Sequence, residues 1–254
     1  MELDRLIAII PQRTYRIRGG IARGLKHRGL GLRQVVVRPA PDSPEIETLR
    51  AQDLGGRTVY DIGAEAGWFT SFFADRAGGR GSVISFEPHP VSYERTLEQV
   101  RVNGQRNVTV LNVAVGDEDG HLTMTFGDQP GQGSADAQLR EMLSANPHAW
   151  TVQVPVVRID TVIEQRDLPL PDFVKIDVEG LERAVLRGMS KTIERAHPSL
   201  FIELHGLDME AKRANARGVV ELLLKHGYKV THVESGCGIS TVDDARPEGH
   251  LLCH

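Results

Sequence analysis

Charged residues suited to chemistry follow two apolar runs in the second half of the chain. Lys175, Asp177 and Glu179 alternate through FVKIDVEG, and Glu203 and His205 alternate at the end of SLFIEL. Because residues two apart share a face of a strand, each set points one way. Charges buried without partners would be costly, so we expect these residues to emerge into a polar cleft. The alternative is a structural Lys–Asp pair and a His–Glu hydrogen bond at the rim.

Proton transfer is the chemistry that these residues favour. His205 titrates near neutral pH when unperturbed and lies beside a carboxylate, which makes it a candidate general base. Asp177 is an alternative proton acceptor, and Glu203 can orient the imidazole. We therefore predict His205, Asp177 and Glu203 as catalytic residues.

A divalent cation is the second use that this group of residues could have. Asp177, Glu179, Glu203 and His205 offer hard oxygen ligands and an imidazole, which suit Mg²⁺ or Mn²⁺. We leave the metal open and do not expect one. The H-x-x-C-H string at 250–254 matches no zinc spacing, and residues 251–253 are predicted as a last sheet strand.

A glycine-containing turn predicts a ligand loop. The sequence DIGAEAG, residues 61–67, lies between a β-rich run and a helical segment. In a doubly wound sheet, ligands bind at the carboxyl ends of the strands, and glycine admits a close approach. The spacing differs from the G-x-G-x-x-G of dinucleotide-binding proteins, and Asp61 suits a cationic amino group better than a pyrophosphate. We predict cofactor contacts from Asp61, Gly63, Ala64 and Gly67; the alternative is a tight turn without a ligand.

Two further strand ends complete the predicted cofactor site. Glu87 ends the second β-rich run, where an acidic side chain can accept hydrogen bonds from both ribose hydroxyls of an adenosine cofactor. The alternative is a carboxylate at the start of the following helix. Asn112 and Ala114 end the third run, which borders the expected position of adenine. We predict cofactor-binding roles for Glu87, Pro88, Asn112 and Ala114, and a role in the same site for Asp177.

The elements that must position these residues alternate between strands and helices. This order predicts a mostly parallel sheet with helices on both faces, a doubly wound Rossmann-like α/β fold. The predicted strands are 57–62, 82–87, 107–115, 173–178, 199–204 and 228–233. The predicted helices are 68–77, 91–103, 182–188 and 219–226.

Two stretches interrupt the alternation. Residues 121–126 and 152–157 are predicted as strands that pair with each other as an excursion. Between them, residues 127–150 are polar and rich in glycine, and their length is typical of an active-site lid. We predict that this segment closes over the substrate.

The start of the chain differs from the rest in charge. Residues 1–38 carry a net charge of +7, against −11 for the remainder. Pro39, Pro41 and Pro44 then indicate a linker. We predict residues 1–44 as a basic extension with a Pro-rich linker, and 45–254 as one domain. The extension is either a solvated arm, or short helices packed on the main domain, or a surface for an anionic substrate, a membrane face or a partner subunit, including a second copy of this chain.

Properties of the whole chain exclude several classes of protein. The net charge of −4 argues against a general nucleic-acid binder, so we expect no nucleic-acid partner. The apolar run near the N-terminus covers only 6–10, which is too short for a membrane span or a signal core, and we expect neither. Two cysteines make no disulfide framework, which favours a reduced, cytoplasmic protein.

Taken together, these blocks resemble the FkbM-like family of S-adenosylmethionine-dependent (class I) methyltransferases. The resemblance covers roughly 57–206, and its most specific string is KIDVEGLE at 175–182. The other matching blocks are DIGAEAG (61–67), FEP (86–88), AVGD (114–117), LRG (186–188) and FIELH (201–205). Family members commonly have Asn where Glu65 stands.

The resemblance implies S-adenosylmethionine as methyl donor and usually a hydroxyl acceptor on a sugar or a secondary metabolite. We therefore expect an O-methyltransferase that acts on a small-molecule or glycan acceptor. Asp61 and Glu87 would anchor the cofactor, and the 127–150 lid would cover the acceptor. The alternatives are a nicotinamide-dependent oxidoreductase on a similar sheet and a non-catalytic partner protein that keeps the fold.

Overall fold

Strands and helices alternate along most of the described chain. The computed structural model describes residues 12–16, 26–30, 43–126, 133–134 and 149–254. The strands are β1 Gln12–Arg16, β2 Lys26–Leu30, β3 Thr58–Ile62, β4 Ser82–Phe86, β5 Val108–Leu111, β6 Ala114–Val115, β7 Gly120–Phe126, β8 Gly133–Ser134, β9 Trp150–Val157, β10 Phe173–Ile176, β11 Ser199–Glu203, β12 Val230–His232, β13 Cys237–Ile239 and β14 His250–Cys253. The α-helices are α1 Pro44–Ala51, α2 Trp68–Ala77, α3 Pro90–Asn103, α4 Ile159–Arg166, α5 Glu182–Gly188, α6 Ser190–Ala196 and α7 Met209–Lys225.

The central sheet has eight strands in the order β13-β12-β14-β11-β10-β3-β4-β5. The five strands from β11 to β5 are parallel, which confirms the predicted doubly wound α/β fold. The chain builds outward from β3 in both directions, so the switch point, where such sheets bind ligands, lies between β3 and β10. The other edge is antiparallel, because the last strand β14 inserts between β11 and β12. The sequence pattern did not predict this insertion.

Helices cover both faces of the sheet. Successive residues of β3 enter different hydrophobic clusters: Val59 packs with Phe73 of α2, and Tyr60 packs in the cluster that contains Val219 of α7. Every residue of β10 is buried. Burial on both sides explains why these strands read as continuous apolar runs and not as an alternating pattern.

The third predicted strand, 107–115, was wrong as one element. Residues of β5 pair with β4 in the central sheet, whereas β6 pairs with β9 in a second sheet of order β6-β9-β7-β8. We call this second sheet the excursion sheet. The change of partner interrupts the strand at 112–113, although the apolar pattern runs through it. The predicted pairing of the two excursion strands is confirmed by the antiparallel β7–β9 ladder.

One predicted helix begins much later than the helix in the structure. The helix predicted at 219–226 is the second half of α7, which begins after Asp208, where the side chain accepts a hydrogen bond from the Ala211 N–H at 2.8 Å. Its first half carries polar residues, which hid it from an apolar periodicity. Of the predicted lid, 127–150, only β8 and residues 149–150 belong to the described part of the chain.

The N-terminal part of the chain contains a short antiparallel hairpin of β1 and β2. The first helix, α1, begins at Pro44, after a capping Ser43. Both cysteines are unpaired; Cys237 is exposed and Cys253 is buried. Among the residues that the structure describes, no helix combines the length and apolar character needed to cross a lipid bilayer.

Candidate active site

A cavity of about 910 Å³ lies along the carboxyl ends of the parallel strands. Its volume is in the range of small-molecule sites. It brings together seven of the predicted site residues, namely Gly63, Glu87, Pro88, Ala114, Asp177, Glu203 and His205. The remaining four, Asp61, Ala64, Gly67 and Asn112, are not among the residues that line it.

Two of these four have roles that their contacts define. Asp61 is fully buried, and its Oδ2 accepts a hydrogen bond from Thr70 Oγ1 at 2.6 Å. Its Oδ1 is buried without a hydrogen-bond partner, and burial raises the pKa of this carboxyl. Asn112 donates its amide hydrogens to the carbonyl oxygens of Glu87 and Pro88 at 2.8 and 3.2 Å. Asn112 therefore holds the loop after β4 and does not reach the cavity.

The glycines of the first loop are required by protein packing. Gly63 has φ = 86°, and a Cβ there would lie 1.8 Å from the carbonyl oxygen of Asp177. At Gly67, a Cβ would lie 2.8 Å from Cα of Thr96. Packing alone accounts for both glycines, because the space beside each is filled by protein; their predicted contact with the cofactor stays a prediction. Gly63 therefore allows the first loop to pack closely against the backbone of Asp177, the residue that follows β10.

Glu87 occupies one end of the cavity as a nearly buried carboxylate. Its Oε2 accepts the Glu65 N–H at 2.6 Å and its Oε1 accepts the His89 N–H at 2.8 Å. Burial, only partly offset by these bonds, raises the pKa of Glu87 to about 7. Each oxygen keeps a lone pair for a further donor. Glu65 sits in the left-handed region at φ = 48°.

His205 stands at the opposite end among four carboxylates. Its Nδ1 lies 3.0 Å from Oε1 of the fully buried Glu182. Its Nε2 faces oxygens of Glu203, Asp177 and Glu179 at 3.5, 3.7 and 4.0 Å. We call these five residues the carboxylate–histidine cluster. They come from the end of β10, from α5 and from the end of β11.

The charge of His205 differs from the sequence-based expectation. Burial alone would lower the pKa of the imidazole, but hydrogen bonds and charges of the surrounding carboxylates raise it to about 10. The premise that His205 keeps an ordinary pKa is therefore wrong. Four carboxylates stabilise the imidazolium, so His205 is protonated at neutral pH in the cofactor-free protein.

The Lys175–Asp177 pair that the sequence left as an alternative does form. Lys175 is fully buried, and its Nζ lies 2.9 Å from Asp177 Oδ2 and 4.6 Å from the centre of the Phe69 ring. Its partners keep the ammonium charged against the cost of burial, and its pKa is raised. Asp177 therefore presents one oxygen to Lys175 and the other to His205.

A cation could be held by part of the carboxylate–histidine cluster. One ligand atom each from Asp177, Glu203 and His205 lies within 4.8 Å of the other two. The buried Glu182 fixes Nδ1 of the imidazole, which leaves Nε2 toward the other two groups. In the H-x-x-C-H string, by contrast, Cys253 is buried in β14, as the predicted last strand requires.

Sequence reasoning missed a second histidine beside the site. His250 pairs with Glu203 across β14 and β11, and its Nε2 lies 3.6 Å from Glu203 Oε2 and 3.8 Å from Glu45 Oε1. Its Nδ1 contacts Glu234 at 2.5 Å. These carboxylates outweigh the effect of burial and raise the pKa of His250 to about 9. No spacing in the sequence signals these contacts, because they depend on the inserted strand and on α1.

Glu182 could have been found from the sequence, because it is the last residue of the KIDVEGLE string. Its position in the string does not by itself indicate a contact with His205. The structure shows Glu182 accepting hydrogen bonds from Asn215 Nδ2 at 2.6 Å and from the Gly180 N–H at 3.1 Å, in addition to its contact with His205. It is the buried support of the imidazole.

Comparison with known proteins agrees with this geometry. The methyltransferase FkbM domain matches residues 61–230. The 31-O-demethyl-FK506 methyltransferase FkbM of Streptomyces tacrolimicus is 31% identical over 202 residues, which are 69% of this chain and 74% of that protein. The hexuronic acid methyltransferase AglP of Haloferax volcanii is 26% identical over 151 residues, 59% of this chain and 57% of that protein. Among solved structures, cofactor-bound Rv0187 from MTB has a TM-score of 0.50 at 16% identity, covering 85% of this chain and 81% of that chain, a likeness of fold alone.

Proposed function

Because the chain belongs to the FkbM methyltransferase family, we propose that it transfers the methyl group of S-adenosylmethionine to a hydroxyl group of a sugar or secondary-metabolite acceptor. The observation that carries this proposal is that one cavity is lined by the nearly buried Glu87 and by every member of the carboxylate–histidine cluster except Glu182. The names of two relatives support acceptors of this kind, since one refers to 31-O-demethyl-FK506 and the other to hexuronic acid.

The residues at the Glu87 end fit the cofactor. Glu87 would accept hydrogen bonds from the ribose hydroxyls with lone pairs that the backbone leaves free. Asp61 precedes the wall residues Ile62 and Gly63, and its unpartnered Oδ1 would gain a partner from a cationic amino group. Ala114 and Pro88 add apolar surface to the wall of the same cavity. We propose that four further residues hold the loops that make these contacts with the cofactor, namely Gly63, Ala64, Gly67 and Asn112.

The carboxylate–histidine cluster would handle the acceptor. When bound, the cofactor supplies a methyl group that its sulfonium sulfur already activates, so this chain must position the acceptor oxygen and remove its proton. The positive charge of the cofactor's sulfonium group, when bound nearby, would disfavour the positively charged imidazolium form of His205. We therefore propose that His205 accepts the proton in the loaded site, with Asp177 as the alternative and Glu203 orienting the imidazole. A general base typically contributes about 10²–10⁴-fold to the rate.

Cofactor protection tests the proposed function. S-adenosylhomocysteine at a hundredfold excess over its Kd should raise the free energy of unfolding by about 2.7 kcal/mol, and NAD should leave it unchanged. Protection by NAD without protection by S-adenosylhomocysteine would indicate the oxidoreductase. Transfer of a radiolabelled methyl group to uncharged sugars or to uronic acids then identifies the acceptor class. The proposal requires that at least one of these acceptors gives a labelled product.

Turnover of His205→Gln beside the parent tests the cluster. We expect a loss of about 10²–10⁴-fold with S-adenosylhomocysteine affinity nearly unchanged. Because we do not expect a metal, a chelator should not alter the parent's rate. Loss of activity with a chelator and recovery with Mg²⁺ would instead assign Asp177, Glu203 and His205 to a cation.

We also propose that residues 1–44 form an extension to a methyltransferase domain at 45–254. Within that domain, the 127–150 segment would lie near the acceptor. We propose a cytoplasmic location for the protein.

We further propose that the basic extension contacts a second copy of the chain. Light scattering of the full chain at low and high salt tests this: a dimer held by these charges should dissociate as salt screens them. A monomer at low salt would contradict the proposed assembly.

A further inference from the structure

Three aromatic rings meet where the excursion sheet touches the loop that follows β4. The His89 imidazole lies 4.2 Å from the Phe126 ring and 5.5 Å from the Trp150 indole, centre to centre. The rings of Phe126 and Trp150 are 5.0 Å apart. These two residues are also paired across β7 and β9, so the strand ladder fixes both against His89. We call the three residues the aromatic cluster.

His89 connects the aromatic cluster to Glu87. Its backbone N–H donates to Glu87 Oε1, and its Nδ1 accepts the Ser92 N–H at 3.1 Å at the start of α3. Burial lowers the pKa of the imidazole, which keeps Nδ1 available as an acceptor. Both His89 and Phe126 also form part of the cavity wall. A displacement of His89 would therefore change the wall and the orientation of the Glu87 carboxylate together.

We propose that Trp150 and Phe126 are cofactor-positioning residues, which hold His89 in place and, through its N–H, orient Glu87 toward the ribose. This inference rests on the proposed function, because it requires Glu87 to bind the adenosine end of the cofactor. It assigns the excursion sheet a role at the cofactor end of the cavity, at the opposite end from His205. Trp150 is 37% exposed, so its effect on binding can be separated from core packing.

A double-mutant cycle between Trp150 and Glu87 tests the inference, with S-adenosylhomocysteine binding measured by calorimetry. Trp150→Ala should weaken binding about tenfold in the parent. In a Glu87→Gln background the same change should cost less than about threefold, because the carboxylate that it orients is gone. Trp150→Phe, which keeps a ring in the cluster, should restore most of the affinity.

Two further variants separate positioning from damage to the fold. His89→Asn keeps the backbone N–H and a side chain that caps α3, but lacks the ring. It should lose affinity as Trp150→Ala does. Gln153→Ala removes only an exposed hydrogen bond to Thr123 Oγ1 on the same hairpin and should bind like the parent. The free energy of unfolding, measured for each variant, confirms that all are folded during the titration.

The outcomes are distinct. Parent-like affinity of Trp150→Ala, an equal loss in both backgrounds, or full affinity of His89→Asn would each overturn the positioning role while leaving the methyltransferase proposal intact. Failure of the parent itself to bind S-adenosylhomocysteine would overturn the proposed function, and the inference with it.

Discussion

At the scale of single residues, the cofactor end of the site depends on a carboxylate that the protein has nearly removed from water. Glu87 is only 5% exposed, and its two backbone hydrogen bonds do not fully offset the cost of burial, so its pKa is raised to about 7. The carboxylate is therefore poised to change charge within the physiological range. Hydroxyl donors prefer the ionised form, which links cofactor affinity to pH.

The first prediction concerns this link. In the parent, affinity for S-adenosylhomocysteine should increase between pH 6 and pH 8, because ionised Glu87 accepts charge-assisted hydrogen bonds from the ribose. Glu87→Gln should lose about 1.5–3 kcal/mol of binding at pH 8 and lack the pH dependence. Calorimetry at the two pH values measures both effects. Affinity that is independent of pH in the parent and unchanged in the variant would place the ribose elsewhere.

The second prediction concerns Glu65. A non-glycine residue at positive φ is strained, and Asn tolerates this region better than Glu. Glu65→Asn should therefore raise the free energy of unfolding by up to about 1 kcal/mol. Glu65→Gln removes the same charge without the conformational preference and is the matched control. If denaturant unfolding shows equal stability for the two variants, charge and not backbone strain governs this position.

At the scale of elements, the site is assembled by contacts between loop backbones. Gly63 carries the first loop against the carbonyl of Asp177, and Gly67 carries the start of α2 against α3 at Thr96. Neither contact leaves room for a Cβ atom. The loop after β3 is thus held against the backbone that follows β10. The residues that line the cavity near Gly63 and near Asp177 are therefore fixed relative to each other.

The third prediction tests this framework. Gly63→Ala combines positive φ with a Cβ 1.8 Å from a backbone oxygen, so the two loops must separate. Gly104→Ala is the control, because Gly104 has φ = 68° but no heavy atom within 4 Å of the added Cβ. The control should cost about 1–2 kcal/mol of unfolding free energy, and Gly63→Ala clearly more. Equal losses by chemical denaturation would show that the loop contact can relax.

At the scale of the whole molecule, stability should depend on pH in one direction across the neutral and alkaline range. His205 and His250 bind their protons more tightly in the folded protein, with pKa values of about 10 and 9, than in an unfolded chain, where histidine titrates near 6.5. Their stabilisation is complete below about pH 6.5 and is lost as pH rises through the folded values. The raised pKa of Glu87 acts with the same sign, between its unfolded value and about 7.

The fourth prediction follows from this sum. The free energy of unfolding should fall from pH 7 to pH 9.5, by at most about 1.4 kcal/mol per pH unit for each proton concerned. His205→Gln should flatten the dependence, since one of the two imidazoles is then missing. Urea unfolding at several pH values measures the slope. A parent stability that increases over this range would contradict the electrostatic account of the cluster.

The sequence by itself determined the order of elements, the carboxyl-end loops and the family. These follow from local patterns: apolar runs of strand length, helical periodicity, and the DIGAEAG and KIDVEGLE strings. It also determined that Glu87, Asp177, Glu203 and His205 share one edge of the sheet, because parallel strands end on the same side. Each of these conclusions needs only residues near one another in the chain, together with the rules of a parallel sheet.

Only the tertiary structure decided the charge of His205 and the neighbours that set it. A pKa depends on distances to charges and on burial, and neither is encoded in local spacing. Glu182 reaches Nδ1 of His205 from a helix. The contacts of His250 were hidden for the same reason, because His250 and Glu45 come from opposite ends of the described chain and meet beside Glu203. The break at 112–113 was equally hidden, because strand partners are chosen by non-local pairing. The sequence predicted an imidazole of ordinary pKa at His205, whereas the surrounding carboxylates stabilise its protonated form in the cofactor-free protein.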